Sequence, residues 1–234
     1  MEYQHIKKGI FQARPNRFVA QVMIDGKEHR VHVKNTGRCR ELLIPGATVV
    51  LEDHPDAKDK GRKTRYSLVA VYKGNLLINM DSQAPNQAAA EWLLGGGFSK
   101  ATGKKPEQIK REVTWGQSRF DLAFTVQGIP GFLEVKGVTL EENGIALFPD
   151  APTQRGVKHL QELSQASREG ILAYVLFVIQ MKGVTCFTPN VKMHREFALA
   201  LGQAKAAGVH ILAYDCLVRE KGFSIHRPVP VKLL

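Results

Sequence analysis

The rhythm of the sequence changes once, at about Asp81, and that change limits what the chain can fold into. Before it, short apolar–polar alternations are separated by turn residues. Residues 17–24 and 28–34 flank Asp25-Gly26-Lys27, and Asp-Gly favours a hairpin because glycine supplies positive φ without steric cost. Val31 and Val33 alternate with His32 and Lys34, which gives one buried and one wet face. Residues 47–52 follow Pro45-Gly46, and residues 66–72 and 76–80 flank Gly74-Asn75. Five short strands in this stretch predict a small closed barrel, since closure removes exposed strand edges. The size favours an OB-like barrel, with an SH3-like barrel or an open sheet as the alternative. The segment 53–64 is a charged, solvated loop whose Lys60, Arg62 and Lys63, with Arg65 just beyond, meet either phosphate or only water.

After Asp81 the elements lengthen. Residues 86–94 predict a helix that Gly95-Gly96-Gly97 ends. Strands at 109–115, 119–126 and 131–138 follow, joined by Gly116-Gln117 and Gly128-Ile129-Pro130, and loops this short make the neighbours antiparallel. A helix is expected from Thr153, a suitable N-cap, to about Arg168. Residues 171–180 are nearly all apolar, as a strand buried on both faces should be. A helix over 191–207 and a strand over 209–214 complete the order α-β-β-β-α-β-α-β. The expected class is α/β (α+β), with domains at 1–80 and 81–234.

The chemistry lies on the second and third of those strands. Glu134 and Lys136 are two residues apart and share a strand face, with Leu133 and Val135 on the other. On the preceding strand Asp121 interrupts the apolar set Phe120, Leu122 and Phe124, and a tight turn brings it near Glu134. Carboxylates inside a sheet are costly to desolvate unless something compensates them, and Mg²⁺ or Mn²⁺ would do so. The plainer reading is a Glu134–Lys136 ion pair with Asp121 as a turn residue.

The segments Arg119-Phe120-Asp121 and LEVKG (residues 133–137), in this element order, resemble the PD-(D/E)XK nuclease superfamily. The resemblance implies a mixed sheet flanked by helices. Asp121 and Glu134 would be metal ligands, the Val135 carbonyl a third oxygen, and Lys136 a catalytic group that orients water and steadies charge on the phosphorane. Such sites often draw a further acid from the first helix. Glu91, the one acidic residue in 86–94, is the candidate metal ligand, or else an ordinary surface glutamate. Arg155 and His159 on the following helix are candidates to hold the scissile phosphate, or part of a polar outer face.

Longer stretches carry a closer likeness. NTGRCRELLIPG (35–46), LEVKGVTL (133–140) and FPDAPTQRGVKHLQEL (148–163) resemble the sugar fermentation stimulation protein A family. That resemblance implies DNA binding, a link to bacterial sugar (maltose) metabolism, and an N-terminal OB-like domain followed by a nuclease-like one.

Charge agrees with a polyanionic partner. The chain carries 33 basic and 22 acidic residues, net +11, and residues 1–80 alone hold 15 basic and 8 acidic side chains. Arg14, Arg17, Lys34, Arg38 and Arg40 gather around the first hairpin and the loop after it, as candidate nucleic-acid contacts. Asn35, Thr36 and Gly37 would add backbone N–H groups toward an anion. With few aromatics nearby, such binding would rest on backbone electrostatics and depend steeply on salt. At 44% hydrophobic and 24% charged residues the composition is that of a soluble globular protein, not a disordered or fibrous one. The N-terminal segment lacks the apolar core of a signal peptide, and the three scattered cysteines suit reduced thiols, so a cytoplasmic location without a membrane partner is expected. The oligomeric state stays open, a homodimer included. The function expected is a DNA-binding protein with a Mg²⁺- or Mn²⁺-dependent nuclease site. The alternative is a non-catalytic DNA-binding regulator on the same fold.

Overall fold

The computed structural model describes every residue except Thr36, Lys58, Lys60 and Leu234. Thr36 and Lys60, both named above as anion contacts, therefore lie outside the described residues. The chain divides into two compact units. One comprises Met1–Ala84, Gln180–Lys182 and Cys216–Ser224, the other Pro85–Ile179, Gly183–Asp215 and Ile225–Leu234.

The first unit is the expected OB-like barrel. Its strands are β1 (Ile6–Asn16), β2 (Val19–Ile24), β3 (Lys27–Val33), β4 (Thr48–Asp53), β5 (Tyr66–Lys73) and β6 (Leu76–Asn79). They run in the order β3-β2-β1-β4-β5-β6, and a β3–β5 pairing closes the circuit. β3 lies parallel to Tyr66, Ser67 and Leu68 of β5, while β6 pairs antiparallel with Ala70 to Lys73. The five strands of the closed circuit are thus β1 to β5, with β6 an extension. The membership differs from the sequence expectation, which missed β1. That strand turns only Gly9 and Phe11 fully inward. Gly9 is required there, because a Cβ would stand 2.5 Å from Val22 Cγ1. Phe11, Val22, Val31, Val49, Leu51 and Leu68 fill the interior. Their burial, at about 1.5–3 kcal/mol for each large side chain, is what holds so small a barrel together.

The second unit is a mixed sheet with helices. Its elements are α1 (Ala84–Leu94), α2 (Gly97–Thr102), β7 (Glu107–Trp115), β8 (Ser118–Val126), β9 (Ile129–Val138), β10 (Leu140–Glu142), β11 (Ile145–Phe148), α3 (Gln154–Arg168), β12 (Leu172–Ile179), β13 (Cys186–Pro189), α4 (Arg195–Ala206), and the parts of β14 (His210–Arg219) and β15 (Gly222–Pro228) outside Cys216–Ser224, which belongs to the first unit. The main sheet runs β15-β14-β12-β9-β8-β7. β7, β8 and β9 are antiparallel, and β9, β12 and β14 are parallel. β12 is buried on both faces, and Phe177 stacks on Phe187 at 4.0 Å between ring centroids. Thr153 caps α3 as expected, its hydroxyl accepting from the Gly156 N–H at 3.0 Å. α4 begins later than expected, because Asn190 accepts from the Met193 and His194 N–H groups and holds the chain in a turn before it. A small sheet, β10-β11-β13, had no counterpart in the sequence reading. Among the described residues no helix is long and apolar enough to cross a membrane.

Candidate active site

β8 and β9 place the candidate carboxylates at the centre of the main sheet. The register pairs Leu122 with Leu133, so Asp121 and Glu134 are the next residues along their strands. Below that point the ladder gives way to a side-chain contact. Asp121 Oδ2 accepts from the Val135 N–H at 2.7 Å, and its Oδ1 accepts from the Asn86 amide at 2.7 Å. Both oxygens of Asp121 are thereby aimed by fixed donors.

Glu134 is buried, and its Oε1 takes two partners. The Lys136 ammonium donates to it at 2.7 Å, and His159 Nδ1 lies 2.5 Å away. His159 Nε2 in turn accepts from Arg155 Nε at 3.3 Å. That bond assigns the proton to Nδ1, so the ring donates to Glu134. The order Arg155, His159, Glu134 is the arrangement in which a second layer of residues orients a metal-binding or catalytic carboxylate. Phe120 packs edge-on to the His159 ring, at 6.0 Å between centroids, and keeps that side dry.

The other oxygen, Glu134 Oε2, is buried without a hydrogen-bond partner among the described residues. An unpaired carboxylate oxygen in such a place costs more than an ordinary hydrogen bond returns. The electrostatics point the same way. Burial, and then the charge of Glu134, push the Asp121 carboxyl up to about 6. Burial pushes Glu134 upward too, but the His159 hydrogen bond and the Lys136 charge outweigh it and hold that carboxyl below its usual value. In the metal-free protein Glu134 is therefore the ionised partner and Asp121 the one that keeps a proton into mildly acidic solution.

Other expected residues fall elsewhere. His159 is 4% exposed and sits on the apolar side of α3 with Val157, Leu160 and Leu163, not on a polar outer face with Arg155. Both ring nitrogens are engaged, Nδ1 with Glu134 and Nε2 with Arg155, whereas the sequence reading placed His159 at the scissile phosphate. Arg155 remains on the surface. Glu91 is exposed and accepts from the Gln87 amide at 2.8 Å. Among the described residues no group of three or more His, Cys, Asp or Glu side chains is placed to hold a metal. What α1 sends to the site is Asn86, from its first turn. Nothing in the sequence marked Asn86. For His159 a signal existed, since it precedes Leu163 by four residues on the buried stripe.

The basic residues of the barrel also divide. The Arg14 guanidinium donates to four backbone carbonyls, those of Gly37, Arg38, Arg17 and Asn35, at 2.6–2.8 Å. It is an internal clamp on the loop after β3. Lys34 is held by buried Asp81 at 2.5 Å and lies over the Tyr3 ring. The Gly37 N–H is already taken by Asn35 Oδ1 at 2.7 Å, so it does not face an anion. Arg65 is paired with Asp53, and Arg62 donates to Ser67. Arg17, Arg38 and Arg40 are exposed, and no ion pair with them exists among the described residues. With Arg14, Asn16 and Leu43 they line one cavity of about 240 Å³.

Comparison with known proteins agrees with both units. The SfsA N-terminal OB domain matches residues 13–80, and the sugar fermentation stimulation protein RE domain matches residues 83–222. This chain belongs to the sugar fermentation stimulation protein family. Relatives in that family include the sugar fermentation stimulation protein homolog of Desulfitobacterium hafniense (strain Y51), 56% identical over 234 residues, covering 100% of this chain and 99% of the relative. The homolog from Alkaliphilus oremlandii (strain OhILAs) is 53% identical over 226 residues, covering 94% of each chain. Among solved structures, SfsA of Pyrococcus furiosus, determined in complex with Ca²⁺, aligns with a TM-score of 0.87 at 29% identity, covering 100% of this chain and 98% of that one.

Proposed function

We propose that this protein binds DNA and that its second unit is a divalent-metal-dependent phosphodiesterase. The observation that carries the reading is Glu134 Oε2, a buried carboxylate oxygen without a partner, next to an Asp121 whose acidity that same glutamate weakens. Two like-charged carboxylates with one unsatisfied oxygen fit a hard cation that draws its remaining ligands from backbone carbonyls and water, as Mg²⁺ and Mn²⁺ do. They do not fit a closed four-ligand zinc site. The Ca²⁺ complex of the Pyrococcus furiosus relative supports a cation of the same class.

Asp121 and Glu134 would hold the cation, which supplies charge neutralisation at the phosphate and a more acidic water. The chain's own residues do the rest. Asn86 and the Val135 N–H fix Asp121, and His159 fixes Glu134 through Oε1 while leaving Oε2 open. Lys136, largely buried but still movable, is placed to orient the attacking water and to donate to a phosphate oxygen as negative charge grows. Arg155 spends its Nε on His159 and keeps its terminal N–H groups for the scissile phosphate. The same reading places the protein in the cytoplasm, where its three buried cysteines stay reduced thiols.

A second reading has one observation in its favour. The Lys136–Glu134 ion pair is also what a non-catalytic DNA-binding regulator would keep as a structural bond. Incubating the protein with labelled single- and double-stranded DNA and RNA in Mg²⁺, Mn²⁺ or EDTA separates the two. Cutting that needs the metal is the expected result. Intact substrates under every condition, with binding that ignores changes at Lys136, would favour the regulator.

A further inference from the structure

The cavity on the barrel has features that a general basic surface lacks. Its lining contains Arg14, Arg17, Arg38, Arg40, Asn16 and Leu43, and no carboxylate among the described residues. Arg14 is spent on backbone carbonyls, and the guanidinium groups of the other three, Arg17, Arg38 and Arg40, repel each other around one concavity unless an anion joins them. The convergence is built in. Arg14 gives up its own donors to the Asn35, Gly37 and Arg38 carbonyls, which holds the loop against the β1–β2 turn. Its bond to the Arg17 carbonyl fixes the other wall. Asn16 tightens that turn by accepting from the Phe18 and Val19 N–H groups at 2.9 and 3.1 Å.

Size and apolar neighbours narrow the ligand. About 240 Å³ is less than the roughly 300–1,000 Å³ of pockets that enclose a whole drug-sized molecule, so the cavity suits one phosphate and part of its sugar. Next in sequence to the lining residues Arg17 and Leu43 stand Phe18 and Ile44, each 55% exposed. An exposed aromatic ring on the same turn as Arg17, which lines the phosphate-sized basic cavity, offers the pairing that grips unpaired nucleotides, with a charged groove for the backbone and an aromatic face for the base. A duplex keeps its bases stacked inside and offers Phe18 nothing. The β1–β2 loop is also one of the loops with which OB barrels meet oligonucleotides.

We infer that the barrel binds single-stranded nucleic acid, with one backbone phosphate on Arg17, Arg38 and Arg40 and the adjoining base stacked on Phe18. The inference rests on the nucleic-acid reading above and sharpens it to an unpaired strand.

Fluorescence anisotropy with a labelled single-stranded DNA oligonucleotide and its duplex, at low salt in EDTA, tests it. The single strand should bind at least about tenfold more tightly than the duplex. Phe18→Ala should cost about tenfold on the single strand and leave the duplex unchanged, the scale of one lost base stack. Arg38→Ala and Arg40→Ala should weaken binding and flatten its salt dependence. EDTA withholds the divalent cation, which keeps this result independent of cutting. Equal binding of both forms, with Phe18→Ala silent, would overturn the inference and leave nucleic-acid binding standing. Binding of neither form would overturn both. Phe18, Arg38 and Arg40 are all exposed, and circular dichroism checks that each variant folds.

Discussion

Glu134→Gln is expected to remove metal-dependent DNA cutting by at least about 10²–10³-fold while the protein stays folded, since one electrostatic contact to a transition state is worth about that much. The amide keeps the volume and still accepts at one oxygen, so Lys136 and His159 lose charge complementarity but not packing. What disappears is a negatively charged, unpartnered Oε2. Asp121→Asn should have an effect of the same order, because Asn86 and the Val135 N–H would still aim the side chain. Lys136→Ala should fall in the same range with metal affinity largely kept, because the proposed mechanism has the lysine meet the phosphate and water and not the metal. His159→Ala separates positioning from ligation. It should weaken metal binding, measured by calorimetry, more than His159→Asn, whose amide can still donate toward Glu134. Equal cutting by Glu134→Gln and the unaltered protein would mean that the carboxylate is only a structural anchor.

The second large effect is on stability against pH in the metal-free protein. An unfolded aspartate titrates near 3.8, and in the folded chain burial and Glu134 move Asp121 up to about 6. The folded state therefore holds the proton more tightly. The stability this confers is fully present below about pH 4 and is lost as pH rises through about 6. Two units at about 1.4 kcal/mol each give roughly 3 kcal/mol across that window. Glu134 acts in the opposite sense and at lower pH, because its folded carboxyl lies below the usual value and its contribution is lost only on further acidification. Burial also lowers His32, His54 and His210, which adds a slope of its own. The quantity to measure is thus a difference, the urea stability of the unaltered protein minus that of Asp121→Asn, from pH 4 to 7 in EDTA. It should fall by about 2–3 kcal/mol, and saturating Mg²⁺ should reverse the trend by binding the ionised form. Parallel curves would show that Asp121 titrates like a solvated carboxyl.

Much of this site was legible because strands report their faces by parity. Gly116 and Gly128 mark the two turns, both at positive φ, and from them the positions of Asp121, Glu134 and Lys136 follow. The apolar run that became β12 was equally plain. Residues supplied by another element were not. Asn86 reaches Asp121 from α1, 35 positions earlier in the chain. His159 reaches Glu134 from 25 positions away. The buried stripe of α3 marked His159 as inward-facing, but neither contact partner leaves a local trace, since helix and strand meet only through packing. The same limit applied to charge. Arg14 and Lys34 count as cations in any sum, yet one is spent on four carbonyls and the other on Asp81. β1 escaped notice because a strand that turns only Gly9 and Phe11 fully inward shows almost no alternation. β10, β11 and β13 are three or four residues long, too short for a period to register.

The central claim is that Asp121 and Glu134 together hold a divalent cation. A crystal soaked in Mn²⁺ and measured for anomalous scattering tests it most directly. The expected result is a single strong peak in contact with Asp121 and with Glu134 Oε2, absent from Glu134→Gln. Mn²⁺ bound elsewhere, or no peak at these two carboxylates, would contradict it.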